Sequence, residues 1–492
     1  MIQDFGNWLD DLNELSGVDD VWPQHPMAFD VNFDPSMDSA VDIMKNQLQR
    51  RSRASSPSQE AQQWSWYSII PQLGVYDEIT INILLNVSKR HLSTTFAVFS
   101  DFEAGDDTRV ELCLAMAAIG GLYCTTSGSA KVAKMLFNDS RRLMLEDHLL
   151  DTNPSFEDSL SFAKTFILLE LYGLCSGDKR AYEFMEVFHG NKVHTMTSCI
   201  NIMPRDATVS QRHHIQLILE AMNVLDSYRV LLLQRPPTFA GDQCFLGREQ
   251  DTIDYQRLAT GGIISKSTPN SSIVKYTADI YQLATIIRYS WMASPRDADD
   301  PTLPSLWKAE FVEMALDQWV RAKSAQTNLD SPLQISQMLL YHLTQVTLHS
   351  NMGALQRLAQ TAPHSAAPPL KDDVGAEAIQ PWSTGRHFDI SLWHAKAILR
   401  IAESGLAPRR RRTSLDMDRP QFIEPPHLPL CIYFATLIMW HGRAKVNEKE
   451  ACSIDALIEV GSHLMLKLKI PVAKVLGTAL CELLTTDGYE ST

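Results

Sequence analysis

The chain has 492 residues, too many for one small module and enough for two to four domains or one large helical array with tails. Hydrophobic residues make up 45% and charged residues 21%, so a sizeable core is available and collagen-like, disulfide-scaffold and wholly disordered classes are excluded. With 44 Lys and Arg against 58 Asp and Glu the net charge is −14, and a chain this acidic without a basic domain is a poor solo binder of nucleic acid, whose affinity comes mainly from phosphate neutralisation.

Most of the acidity sits in a short head. Residues 1–44 hold ten acids, from Asp4 to Asp42, and no Lys or Arg. Bulky apolar groups, among them Phe5, Trp8, Leu12, Leu15, Trp22 and Phe29, are interleaved with them. Such a segment has too little apolar surface to offset its ordering entropy and is expected to be disordered. Acidic–hydrophobic alternation is the composition of transcriptional activation segments, because repulsion among the acids keeps the aromatics available to a partner's groove. Within residues 7–15, Trp8, Leu12 and Leu15 fall on one face of a potential helix. These three and Trp22 are the expected anchors; the bland alternative is a solubilising tail. Residues 45–63 read as a basic, Ser-rich linker containing Arg50, Arg51 and Arg53.

From about Trp64 the pattern is helical, and residues 64–360 read as one helical regulatory body. The spacing predicts helices over 77–92, 109–123, 130–145 and 156–174, then over 182–200 and 211–233. Further helices are predicted over 273–291, 304–323 and 332–349. Residues 361–429 read as two Pro-rich loops, 361–382 and 404–429, around one helix at 391–403. The C-terminal part, 430–492, carries helices at 430–440, 448–465 and 472–484. Strand alternation and hairpin signals are scarce, so the fold class is all-α. The longest apolar run, Leu112–Tyr123, is far short of the ~20 residues of a membrane-spanning helix, and no membrane partner is expected.

The eight cysteines, Cys113, Cys124, Cys175, Cys199, Cys244, Cys431, Cys452 and Cys481, form no CxxC pair. Scattered in apolar contexts, they read as buried thiols of a reducing compartment. No HExxH, GxSxG, Walker or dinucleotide glycine fingerprint occurs, and the chain is read as non-enzymatic, without a cofactor of its own. His213–His214, and His189 with His194, lack the four-residue spacing of helical metal pairs and read as structural. A helical magnesium-dependent enzyme is a remote third reading. Asp10–Asp11 with Glu14, and Asn138–Asp139 with Glu146, sketch its ligand sets, but Arg142 stands where a hydroxyl ligand belongs. The cluster Arg409, Arg410, Arg411 and Arg412 sits in a proline-bounded loop and reads as a nuclear-import signal. Ser414 beside it is a phosphorylation candidate whose phosphate would partly cancel the local charge.

Three blocks carry a family resemblance. They are LCLAMAAIGGLYC with the helix after it (Leu112–Glu146), SFEDSLSFAKTFILLELYGLCSGDKRAYEF (Ser155–Phe184) and EAMNVLDSYRVLLLQRPPTF (Glu220–Phe239). Taken in order, they resemble the regulatory middle region of fungal-specific transcription factors. The family-motif positions are Gly120, Gly121, Gly173, Gly177, Asp226, Arg235, Pro236 and Pro237. Their expected roles are packing roles. Small residues at Gly120 and Gly121 permit close helix approach. Gly173 and Gly177 stand where a helix should end, and Pro236–Pro237 should stop the helix before them. The family's zinc-based DNA-binding module has no counterpart, since no cysteine precedes Cys113. No residue is therefore assigned to DNA contact, and zinc enters only if a module lies upstream.

The resemblance implies a nuclear transcriptional regulator of metabolic genes, including secondary-metabolite clusters. It would reach DNA indirectly, through a DNA-bound partner or a missing zinc module, and recruit the transcription machinery. A homo-oligomer and a small-molecule effector are compatible with it. The alternative is a non-catalytic helical protein that binds a ligand or a partner.

Overall fold

The computed structural model describes residues 75–102, 108–150, 155–201, 208–238, 256–260, 272–294, 306–324, 332–361, 385–406, 422–443 and 448–487. Among these residues the fold is all-α, with no strand. The helices are α1 (Val75–Leu92), α2 (Val110–Tyr123), α3 (Ser129–Leu150), α4 (Phe156–Cys175), α5 (Lys179–Asn201) and α6 (Val209–Leu231). They continue as α7 (Ser272–Ser290), α8 (Leu306–Ser324), α9 (Pro332–His349), α10 (Met352–Thr361) and α11 (Arg386–Leu406). The last three are α12 (Leu428–Arg443), α13 (Glu448–Lys467) and α14 (Val472–Asp487). A 3-10 turn, Ala97–Phe99, follows α1.

The helix predictions agree with these elements to within a few residues, and α9 coincides with its predicted span. Two places differ. Helix α10 was not predicted as an element, although it falls at the end of the body expected to be helical. It starts because the Asn351 side chain accepts the Ala354 N–H at 3.0 Å, a side-chain cap at the helix entry. The second Pro-rich stretch is not wholly a loop, for its ends, 404–406 and 428–429, belong to α11 and α12, and Glu424, Pro425, Pro426 and His427 between them are buried. Pro429 falls in the first turn of α12, where its missing N–H has no intrahelical partner to lose.

Two compact units divide the chain: residues 1–221 with 469–472, and residues 222–468 with 473–492. The division between Ala221 and Met222 falls inside α6, and the sequence boundaries at 360 and 429 fall inside the second unit.

The first unit is built around α2, all of whose residues are buried. Such a helix shows no polar face, so its apolar run reflects packing on all sides. It packs on α1, α3 and α4, and α4 in turn packs on α5. Helix α4 begins at a side-chain cap, with Ser155 Oγ accepting the Asp158 N–H at 3.1 Å. Arg109 ties its start to α2, reaching Glu111 at 2.6 Å and Asp158 at 2.9 Å while its guanidinium lies over the Phe162 ring.

In the second unit α9, α11 and α12 pack on one another, with α13 on α11 and α12, α10 on α12, and α7 on α9. Helix α9 is buried continuously from Leu339 to His349 although it carries Tyr341, His342, Thr344, Gln345, Thr347 and His349 there. Its threonines satisfy themselves locally: Thr344 Oγ1 donates to the Leu340 carbonyl at 2.7 Å and Thr347 Oγ1 to the Thr344 carbonyl at 3.0 Å.

Candidate functional site

The family-motif glycines lie at helix crossings. A Cβ on Gly120 would stand 1.8 Å from the Leu84 carbonyl oxygen of α1, and one on Gly121 would stand 2.7 Å from Ala133 Cβ of α3. Gly173 departs from its expected place. It lies inside α4, where a Cβ would meet the Ala181 carbonyl oxygen at 3.0 Å and Met185 Cβ at 3.1 Å. It therefore admits α5 rather than ending α4. The turn belongs to Gly177, whose φ of 69° is in the left-handed region that favours glycine.

The Arg-Pro-Pro segment is a built corner of the second unit. Helix α6 ends at Leu231, ahead of the prolines. The stop comes from Gln234, left-handed at φ 52°, whose side-chain amide donates to the Leu231 carbonyl at 2.8 Å and the Val230 carbonyl at 3.3 Å. The Arg235 N–H reaches back to the Arg229 carbonyl at 2.9 Å. Asp226 is fully buried, and its Oδ1 accepts the Thr238 N–H at 2.7 Å, fastening the far side of Pro236–Pro237 to the helix. The prolines stiffen a corner that other residues make.

The remaining sequence-predicted sites, Trp8, Leu12, Leu15 and Trp22, Arg409 to Arg412, and Ser414, lie outside the described residues. Of the remote magnesium set, Asp139 faces Arg142, with Oδ1 at 3.5 Å from the guanidinium. His189 is buried while His194 is exposed, so that pair presents no common face. No group of three or more His, Cys, Asp or Glu among the described residues is arranged to hold a metal ion. Cys113 is buried, and burial pushes its thiol up to about 12. Cys452 and Cys481 are exposed, against the expectation of buried thiols.

Three polar clusters were not singled out as such from the sequence. In the first unit Glu170 of α4 is ion-paired with Lys192 of α5, with His189 of α5 at 3.8 Å on the other carboxylate oxygen. Burial alone would raise the Glu170 carboxyl, but Lys192 and His189 outweigh it and hold it down to about 2.

In the second unit Tyr228 of α6 donates its hydroxyl to His427 Nδ1 at 2.7 Å. His427 Nε2 donates to the Ser336 carbonyl of α9 at 3.0 Å. Those two bonds demand the neutral Nε2–H tautomer, and burial depresses this ring to about 3.

The third cluster lies between α9 and α11, with His342, His349 and His394 buried and His387 exposed. His342 Nδ1 meets His394 Nδ1 at 2.8 Å, and His349 Nδ1 meets His387 Nδ1 at 2.9 Å. The two histidines of each helix are seven residues apart, hence on one face, and the antiparallel crossing brings them into register. Glu313 of α8 lies 3.5 Å from His349 Nε2. Burial lowers His342 to about 4; burial, then His387 and Arg386, lower His349 to about 4. Burial, then His342 and His349, lower His394 to about 3. The repeated seven-residue spacing of histidines is the sequence signal for this seam. It becomes informative only once the two helices are known to pair.

No helix among the described residues is long and apolar enough to cross a membrane. None of the known protein families, curated proteins or solved structures matches the chain.

Proposed function

We propose that the chain is a transcriptional regulator of the fungal type, acting in the nucleus on metabolic genes. The observation that carries this reading is the charge segregation of the sequence: ten acids and no base in residues 1–44, interleaved with Trp8, Leu12, Leu15 and Trp22. Those side chains recruit the transcription machinery. The helical body restrains or presents them, and Arg409 to Arg412 direct import. DNA is reached through a bound partner or a zinc module outside this sequence. The order and spacing of the three family-like blocks support the same reading, as does the all-α body in which they lie.

The test fuses the chain to an unrelated DNA-binding module and reads a reporter with and without residues 1–44. Activation that disappears with the head, and falls sharply in Trp8→Ala/Leu12→Ala, is the expected result. A nuclear, intact fusion that is silent with and without the head would overturn the activation reading and favour a non-transcriptional binding protein.

A further inference from the structure

We propose that the α9–α11 seam is a proton-operated latch, in which the His342–His394 and His349–His387 pairs hold the two helices together until acid separates them. Each pair joins two Nδ1 atoms, so one ring must donate and the other accept. At His349 the assignment follows from its surroundings. Its Nε2–H faces Glu313, leaving Nδ1 to accept from the Nδ1–H of His387. A first extra proton can enter at the free Nε2 of a donating ring without breaking the bond. A second must occupy the accepting Nδ1, and two N–H groups then face each other at hydrogen-bond distance. Two adjacent imidazolium ions add like-charge repulsion, strongest at the His342–His394 pair, where both rings are buried.

The seam offers little to offset that charge. On the α8 side stands Glu313, with Asp317 and Glu310 behind it; burial raises the Glu313 carboxyl and so weakens it as a counter-ion. On the α11 side Arg386 adds positive charge beside His349. Tyr341 of α9 and Trp393 of α11 flank the His342–His394 pair with rings, not charges. The carboxylates thus stand on the α8 side, facing His349, whereas at His342 and His394 burial and the neighbouring imidazoles disfavour a charged ring. His342, His349 and His394 are all nearly inaccessible while the helices are together, at 6%, 3% and 7% exposure. Separation restores ordinary imidazole basicity, so falling pH draws the seam open by mass action. Two pairs one heptad apart make the response steeper than a single histidine would.

The experiment is hydrogen exchange of the full chain at pH 7.5 and pH 5.0, corrected for intrinsic rates and read on peptides of α9 and α11. Each histidine that gains its proton only on opening raises the opening constant by about 30-fold over this interval. A loss of protection of at least that size in α9 and α11, with α2 to α4 unchanged, is expected. The double variant His342→Leu/His394→Leu keeps the packing volume and should show a smaller acid response. Equal protection of the wild-type seam at the two pH values overturns the proposal, and this comparison needs no variant. A response of wild-type size in the double variant overturns the role of that pair.

Discussion

Glycines in this molecule have opposite meanings that only their neighbours reveal. At Gly120 an added Cβ would collide with backbone, the Leu84 carbonyl, which cannot move without shifting α1. At Gly190, inside α5, nothing lies within 4 Å of an added Cβ. Gly120→Ala should therefore destabilise the chain by about 3 kcal/mol, the upper end of overpacking costs. Gly190→Ala should stabilise it by roughly 0.5–1 kcal/mol, because alanine loses less backbone entropy in a helix. Thermal unfolding followed by circular dichroism checks both signs in one series. The sequence shows small residues in both places. It does not show which of them another backbone approaches.

At the scale of the element, caps and corners decide where helices begin and end. Ser155 satisfies one of the free N–H groups at the start of α4, and the acids Glu157 and Asp158 in that first turn complement the helix dipole. Ser155→Ala should cost about 1 kcal/mol, seen as a lower denaturant midpoint with an unchanged slope. A changed slope would mean that the substitution altered more than the cap. Periodicity placed this start at residue 156 in advance, and the structure adds the Ser155 cap. The end of α6 was not legible in the same way. Pro236–Pro237 announce a stop, yet the helix ends earlier, at the left-handed Gln234 whose own amide caps it. A non-glycine residue in that conformation has no composition signal.

For the whole molecule, the buried titratable groups are distributed unequally between the two units, and acid should act on them in sequence. In the second unit His342, His349, His394 and His427 have folded values of about 4, 4, 3 and 3, below the ordinary 6.5. Neutral in the folded chain and protonated when unfolded, they contribute stability that is whole above pH 6.5 and is lost as pH falls toward 4 and 3. The slope is about 1.4 kcal/mol per pH unit for each ring. In the first unit Glu170 is held from the ordinary 4.5 down to about 2. Its contribution is whole above pH 4.5 and is lost only between there and about 2. An acid titration of the full chain, sampled by brief proteolysis and mapped by fragment mass, should cut the second unit first. Simultaneous cutting of both units below pH 4.5 would contradict this order.

The amino-acid sequence by itself determined the fold class and nearly all the helix positions. Helical periodicity, caps and prolines are local, acting within a few residues along the chain. It also shows ten acids and no base in residues 1–44, because charge and composition need no folding to be read. Tertiary structure alone decided which polar side chains would be brought together. Glu170 and Lys192, Tyr228 and His427, and the four histidines of the α9–α11 seam come from separate segments. Their partnership depends on crossing and register. Each looks unremarkable in its own helix, and each is satisfied only by what the neighbouring helix brings.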